Sequence, residues 1–181
     1  MKKQVSVIIP NFNGRNYLKD CLNSLNQQHF QDFEIILVDN ASTDDSLSLA
    51  REFCPEIKTI VLSENFGFCR AVNEGIRASK APFVLLLNND TVVDPDFVGA
   101  LYEAIRGKEK VFSCASQMRK LTDPSKMDDG GDFYCALGWA FARGKDKPYE
   151  NYEKAGRIFF SCAGAAIYRR EVFEKIGYFD E

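Results

Sequence analysis

Phe83-Val84-Leu85-Leu86-Leu87-Asn88-Asn89-Asp90 sets five apolar residues directly against three polar ones able to hold a cation. A continuous apolar run of this length, with Pro82 before it and Asp94-Pro95 after it, fits a central strand covered on both faces. Whatever such a strand carries at its C-terminal tip is a candidate for chemistry, because open α/β sheets bind ligands beyond that edge.

The elements on either side repeat this pattern. Val5-Ser6-Val7-Ile8-Ile9-Pro10 is β-branched and apolar and runs into the turn Asn11-Phe12-Asn13-Gly14. Tyr17, Leu18, Cys21, Leu22 and Leu25 then recur at helical spacing, predicting a helix over 16–28. Phe33 to Val38 is a second buried strand ending at Asp39-Asn40, and Ser42 or Thr43 is placed to cap a helix whose first turn carries Asp44 and Asp45. Pro55 stops that helix, and 57–62 reads as a third strand.

The loop Ser63 to Phe68 leads into a helix bearing Ala71, Val72, Ile76 and Ala78, with Asn73 and Gly75 interrupting its surface. After the central strand, Asp94-Pro95-Asp96 opens a helix that ends near Gly107. Strands alternating with helices imply right-handed crossovers and a mainly parallel sheet. Asn11, Asp39 and Asn88 to Asp90 each follow a strand and gather on one rim.

Beyond Val111 to Met118 the periodicity fades. Thr122 to Lys147 reads as irregular with short antiparallel strands, and packing beneath the loop is favoured over pocket lining for most of Phe133, Tyr134 and Trp139. Order returns at 158–161 and 163–168, where small residues around Gly164 allow close contact, and a short helix follows from Arg170 to Ile176.

Composition narrows the function classes. The chain has 181 residues, 45% hydrophobic and 27% charged, with formal net charge -3, as expected for one globular domain. A net charge this small and negative, without a dense Lys/Arg run, argues against nucleic acid or an anionic membrane surface as the main partner. No apolar run approaches the ~20 residues of a membrane span or forms a signal-peptide core, which predicts a cytoplasmic protein. Six scattered cysteines and the single histidine, His29, favour free thiols in a reducing compartment over a zinc site or disulfides.

Four segments carry a resemblance when taken together: Val7 to Asn13, Ile36-Leu37-Val38-Asp39-Asn40-Ala41-Ser42-Thr43-Asp44, Asn65-Phe66-Gly67-Phe68, and Leu86-Leu87-Asn88-Asn89-Asp90. In order and spacing the chain resembles glycosyltransferase family 2, in particular its rhamnosyltransferase-like branch. The resemblance implies the three-layer αβα GT-A fold, a Rossmann-like nucleotide-diphospho-sugar transferase architecture with a mainly parallel central sheet. It implies a single catalytic domain over 1–181, with a nucleotide-sugar donor half at 1–110 and the start of an acceptor half at 111–181.

By the same resemblance, Pro10, Asn11 and Asn13 line the nucleotide site and Asp39 accepts the N–H of a uracil or thymine, a role that suits a fixed carboxylate. Asp90 takes a divalent metal, Mn or Mg, although Asn88 stands where the family often has an acid. Asn88 then serves the ribose or the metal's water shell, and Asn89 belongs to the same donor-binding set. A metal there neutralises the charge growing on the leaving diphosphate. Asn65, Gly67, Arg70 and Asn73 form the other wall, Gly67 by close backbone approach and Arg70 by pairing with the diphosphate.

Inverting transfer also needs a carboxylate to deprotonate the acceptor hydroxyl. Asp180 and Glu181 are the nearby candidates, although the family's usual base follows the Gly-x-Phe-Asp-Glu element, beyond Glu181. The expectation is thus a catalytic domain incomplete at its C-terminus, moving a sugar from a UDP- or dTDP-linked donor to a glycan or lipid-linked acceptor, with membrane-surface association through that acceptor. A nucleotide-sugar-binding module without activity is the alternative. A nucleotidyltransferase lacks its Gly-rich basic loop here, and a dinucleotide-dependent dehydrogenase its Gly-x-Gly-x-x-Gly.

Overall fold

A computed structural model describes residues 3–181. In chain order its main elements are β1 (Val5–Asn11), α1 (Arg15–Asn26), β2 (Phe33–Asp39), α2 (Ser46–Phe53), β3 (Lys58–Val61), α3 (Gly67–Ala78), β4 (Phe83–Leu87) and α4 (Phe97–Arg106). Short strands follow: β5 (Ser113–Ala115), β6 (Met118–Lys120), β7 (Asp123–Asp129), β8 (Asp132–Tyr134) and β9 (Ala140–Ala142). A 3-10 turn at Tyr149–Tyr152, β10 (Ala165–Arg169) and α5 (Arg170–Ile176) complete the chain.

Six strands form one sheet in the order β3-β2-β1-β4-β10-β5. β3, β2, β1 and β4 are parallel, and β10 is antiparallel to both β4 and β5. The sheet is therefore mainly parallel as the alternation predicts, while β5 and β10 from the second half of the sequence complete it. Period-two alternation divides the core into two layers. Val5, Val7 and Ile9 of β1 and Leu85 and Leu87 of β4 face α1, α2 and α4. Ile8, Val84 and Leu86 face α3 and α5. All five residues of β4 are buried, which explains why its sequence shows no alternation.

The structure departs from the sequence reading in several places. α2 starts at Ser46 with Asp45 as N-cap and no side-chain cap, so neither Ser42 nor Thr43 caps it. Ser42 instead turns back to Asp39. Asn73 and Gly75 do not interrupt an exposed surface, because both are buried. A Cβ at Gly75 would collide with Ile8, so the missing side chain lets α3 lie close on β1. The segment 158–161 forms no strand; it is tied by an isolated bridge from Phe160 to Asp132 and by Ser161, which bonds Ser113 and Tyr168. Packing fails for two of the three aromatics: Trp139 is 73% exposed and Tyr134 54%, because the β8–β9 hairpin carries them clear of the sheet.

Candidate donor site at the strand tips

The connection from β1 runs outward through β2 to β3, and the chain then returns to place β4 on the other side of β1. Neighbouring crossovers leave in opposite directions at the β1/β4 boundary, so their loops part and open a crevice at the C-terminal ends. Asn11, the last residue of β1, lies in register with Asp39, the last of β2, and Asn88 to Asp90 follow β4 directly.

A buried polar network ties these tips together. Asp39 is fully buried, and its Oδ1 accepts from Asn11 Nδ2 at 2.9 Å and from Ser42 Oγ at 2.5 Å, while Oδ2 accepts the Ser42 N–H at 3.0 Å. Asn11 Nδ2 also faces Ser46 Oγ at 3.0 Å, and Asn11 Oδ1 accepts from Asn89 Nδ2 at 2.8 Å. An ionised carboxylate is retained out of water only with such donors around it. Gly14 closes the arrangement, because a Cβ there would meet Asn11 Oδ1 and Asn89 Nδ2.

Around this network the loops interlock. Asn13, in the left-handed region at φ 50, accepts the Thr43 N–H at 2.8 Å and donates its own N–H to Ser42 Oγ at 2.9 Å. Asp44 accepts the Arg15 N–H at 3.0 Å. Desolvation alone would raise the Asp44 carboxyl, but bonds from Ser46 and from the Arg15 and Ser46 N–H groups hold it below the ordinary range. Pro10 sits half-buried beside Val38.

The other wall is built by Asn40. Its amide donates to Asn65 Oδ1 at 2.7 Å and to the Gly67 carbonyl at 3.1 Å, and accepts the Phe66 N–H at 2.9 Å. Gly67 opens α3 at φ +84. Arg70 is engaged with carboxylates: Nη1 meets Glu181 Oε2 at 2.6 Å and Nε meets Glu74 Oε1 at 3.1 Å. Buried Asn73 donates to the Phe179 carbonyl at 2.8 Å and to Glu181 Oε1 at 2.9 Å, and accepts the Phe179 N–H at 3.1 Å. The bond from Arg70, then that from Asn73, holds the Glu181 carboxyl below its usual range. Such a carboxylate is a weak proton acceptor, whereas Asp180 is exposed.

Asp90 is exposed at the tip of β4, with Asn88 and Asn89 half-buried behind it. The Asn88 N–H donates to the Gly164 carbonyl at 2.8 Å, and its own carbonyl accepts from Thr91 Oγ1 at 2.7 Å. Cys21 packs under the same carbonyl, and burial pushes its thiol up to about 12, so it is inert there. Among the described residues no three His, Cys, Asp or Glu side chains cluster as a metal cage. One exposed carboxylate beside an amide oxygen fits a hard divalent cation that draws its remaining oxygens from phosphate and water.

The structure therefore brings Asn11, Asn13, Asp39, Asn88, Asn89 and Asp90 together, with Asn65 and Gly67 on the loop beside them. Arg70 and Glu181 are joined to each other. Sequence reasoning missed the framing roles of Asn40, Ser42 and Ser46. It placed Asn73 on the wall of the site, whereas the structure buries it as the anchor of Phe179 and Glu181. A cleft of about 1390 Å³ lies elsewhere, lined by Phe112, Phe160 and Phe179.

The profile described as Glycosyl transferase family 2 matches residues 6–177. Glycosyltransferase GlyG of Streptococcus pneumoniae serotype 4 is 29% identical over 112 residues, covering 60% of this chain and 37% of that protein. The solved S. aureus TarS 1-349 in complex with UDP-GlcNAc superposes at TM-score 0.72 with 21% identity, over 99% of this chain and 49% of that one. Mannosyltransferase PcManGT of Pyrobaculum calidifontis, solved with GDP-Man and Mn2+, superposes at TM-score 0.70 with 18% identity, over 99% and 48%. The α/β fold with its mostly parallel sheet is thus that of GT-A transferases. The chain spans less than half the length of the first curated relatives it matches. By the extent of the profile match, this chain belongs to glycosyltransferase family 2.

Proposed function

We infer that the chain binds a UDP- or dTDP-linked sugar at the β1/β4 crevice and serves an inverting, metal-assisted transfer to a glycan or lipid-linked acceptor. The observation that carries this reading is the convergence of Asn11, Asp39, Asn89 and Asp90 at the topological switch point. In it, the nucleoside lies against the Pro10–Asn13 turn and the rim held by Asp39. Asp39 already accepts from Asn11 and Ser42 and is fully buried, so base reading through it requires its cover to open and an imide N–H to take the site left on Oδ2. Asp90, with Asn88, would hold Mn or Mg, which would supply neutralisation of the leaving diphosphate.

Asn65 and Gly67 present their loop toward the donor, and Arg70 reaches a phosphate only by giving up Glu181. The acceptor's proton calls for a carboxylate other than Glu181, whose pairing makes it a strut between α3 and residues 178–181. That same pairing favours a second reading, a donor-binding module without turnover. No helix among the described residues is long and apolar enough to cross a membrane. We place the reaction at the cytoplasmic face, where nucleotide sugars are made, in cell-surface polysaccharide assembly.

Incubating the chain with labelled UDP- and dTDP-sugars and lipid-linked or oligosaccharide acceptors tests both readings. Product formation removes the inactive-module reading, and donor binding without product supports it. Absence of binding by every donor overturns both.

A further inference from the structure

Residues 133–142, Phe-Tyr-Cys-Ala-Leu-Gly-Trp-Ala-Phe-Ala, contain no charged residue and no carboxamide. They form the β8–β9 hairpin, in which Phe133 faces Phe141 across the pair and Cys135 to Trp139 makes the turn. Exposure rises toward the tip: Phe141 is 55% exposed, Trp139 73% and Leu137 83%. Phe159, 70% exposed, stacks on Tyr134 at 5.8 Å and widens the same apolar surface. Isolated exposed apolar residues are ordinary, but a contiguous set of this kind marks an interaction surface.

We propose that this hairpin tip inserts into the interfacial layer of a lipid bilayer. Three observations favour lipid over a sugar or a protein partner. The tip is a convex wedge, and a fluid apolar medium needs no complementary shape. Two backbone bonds close the turn, the Cys135 N–H on the Trp139 carbonyl at 2.9 Å and the Gly138 N–H on the Cys135 carbonyl at 3.0 Å, which lowers the number of polar groups that burial would strand. A sugar would be held by carboxylates or carboxamides beside the rings, and the tip has none.

In the chain after the hairpin, Lys147, Lys154 and Arg157 are exposed without a carboxylate partner among the described residues, the residue types that meet lipid headgroups beside an inserted apolar segment. Glu150 and Glu153 lie in the same stretch, so the apolar tip, more than net charge, supplies the binding. This inference does not depend on the donor reading.

The chain contains a single tryptophan, so Trp139 is its own probe. Titrating the protein with vesicles of phosphatidylcholine and phosphatidylglycerol, without nucleotide, is expected to shift Trp139 emission to the blue, and brominated lipid should quench it. Replacing Leu137 and Phe141 by serine keeps the probe and should weaken partitioning on the order of tenfold or more. Leu137→Ile should bind as the parent does, and circular dichroism checks that each variant is folded. An unshifted emission with the protein left in the supernatant overturns the proposal. So does a blue shift produced by soluble oligosaccharides and not by vesicles.

Discussion

At the scale of single residues, Gly14 and Asn11 decide whether the rim can form. Gly14→Ala puts a Cβ where the Asn11 and Asn89 amides meet, and both lie between packed strand ends with little room to give. We expect a loss of about 1–3 kcal/mol in stability, as for other overpacked sites. Nucleotide affinity should fall more than tenfold on the same energy scale. Chemical denaturation and titration with UDP check the two separately. Asn11→Leu leaves buried Asp39 without its amide donor and should cost about 1–3 kcal/mol. Asp39 and Asp90 were legible in the sequence because each ends an apolar run with a carboxylate. The bond from Asn11 to Asp39 was not, since Asn11 is 28 residues away and meets it only through the β1–β2 register.

At the scale of elements, residues 178–181 are fastened to α3 by Asn73, Arg70 and Arg77, while Phe179 packs on Tyr168 of β10. The native pKa of Glu181 is lowered, so its contribution is fully present above the ordinary glutamate value of 4.5 and is lost as pH falls through the lowered native one. The Phe179 amide, bonded to Asn73, should keep its NMR position down to that region and drift below it. Arg70→Ala should move the drift up toward 4.5, and a profile unchanged by this substitution would mean that the pair does not fasten the segment. Regular elements such as α5 were readable from period and composition. The β8–β9 hairpin was misread because exposed aromatics look like core when only their type is visible; nothing in Trp139 itself says that no element covers it.

At the scale of the molecule, the parallel order β3-β2-β1-β4 fixes where ligand chemistry can occur, and the apolar β4 is its keystone. Leu85→Ala, at a fully buried position facing α1 and α4, should lower stability by about 2–5 kcal/mol in denaturant unfolding. The alternation of strands and helices disclosed this architecture. It did not disclose the antiparallel β10, since hydrophobic pattern carries no strand direction. We propose that the tip of β4 holds a metal that serves a nucleotide diphosphate. Calorimetric titration of UDP and dTDP with and without manganese, on the parent chain and on Asp90→Ala, separates the alternatives. Manganese is expected to strengthen diphosphate binding in the parent and to change it barely in Asp90→Ala; equal strengthening in both proteins would remove Asp90 from the metal site.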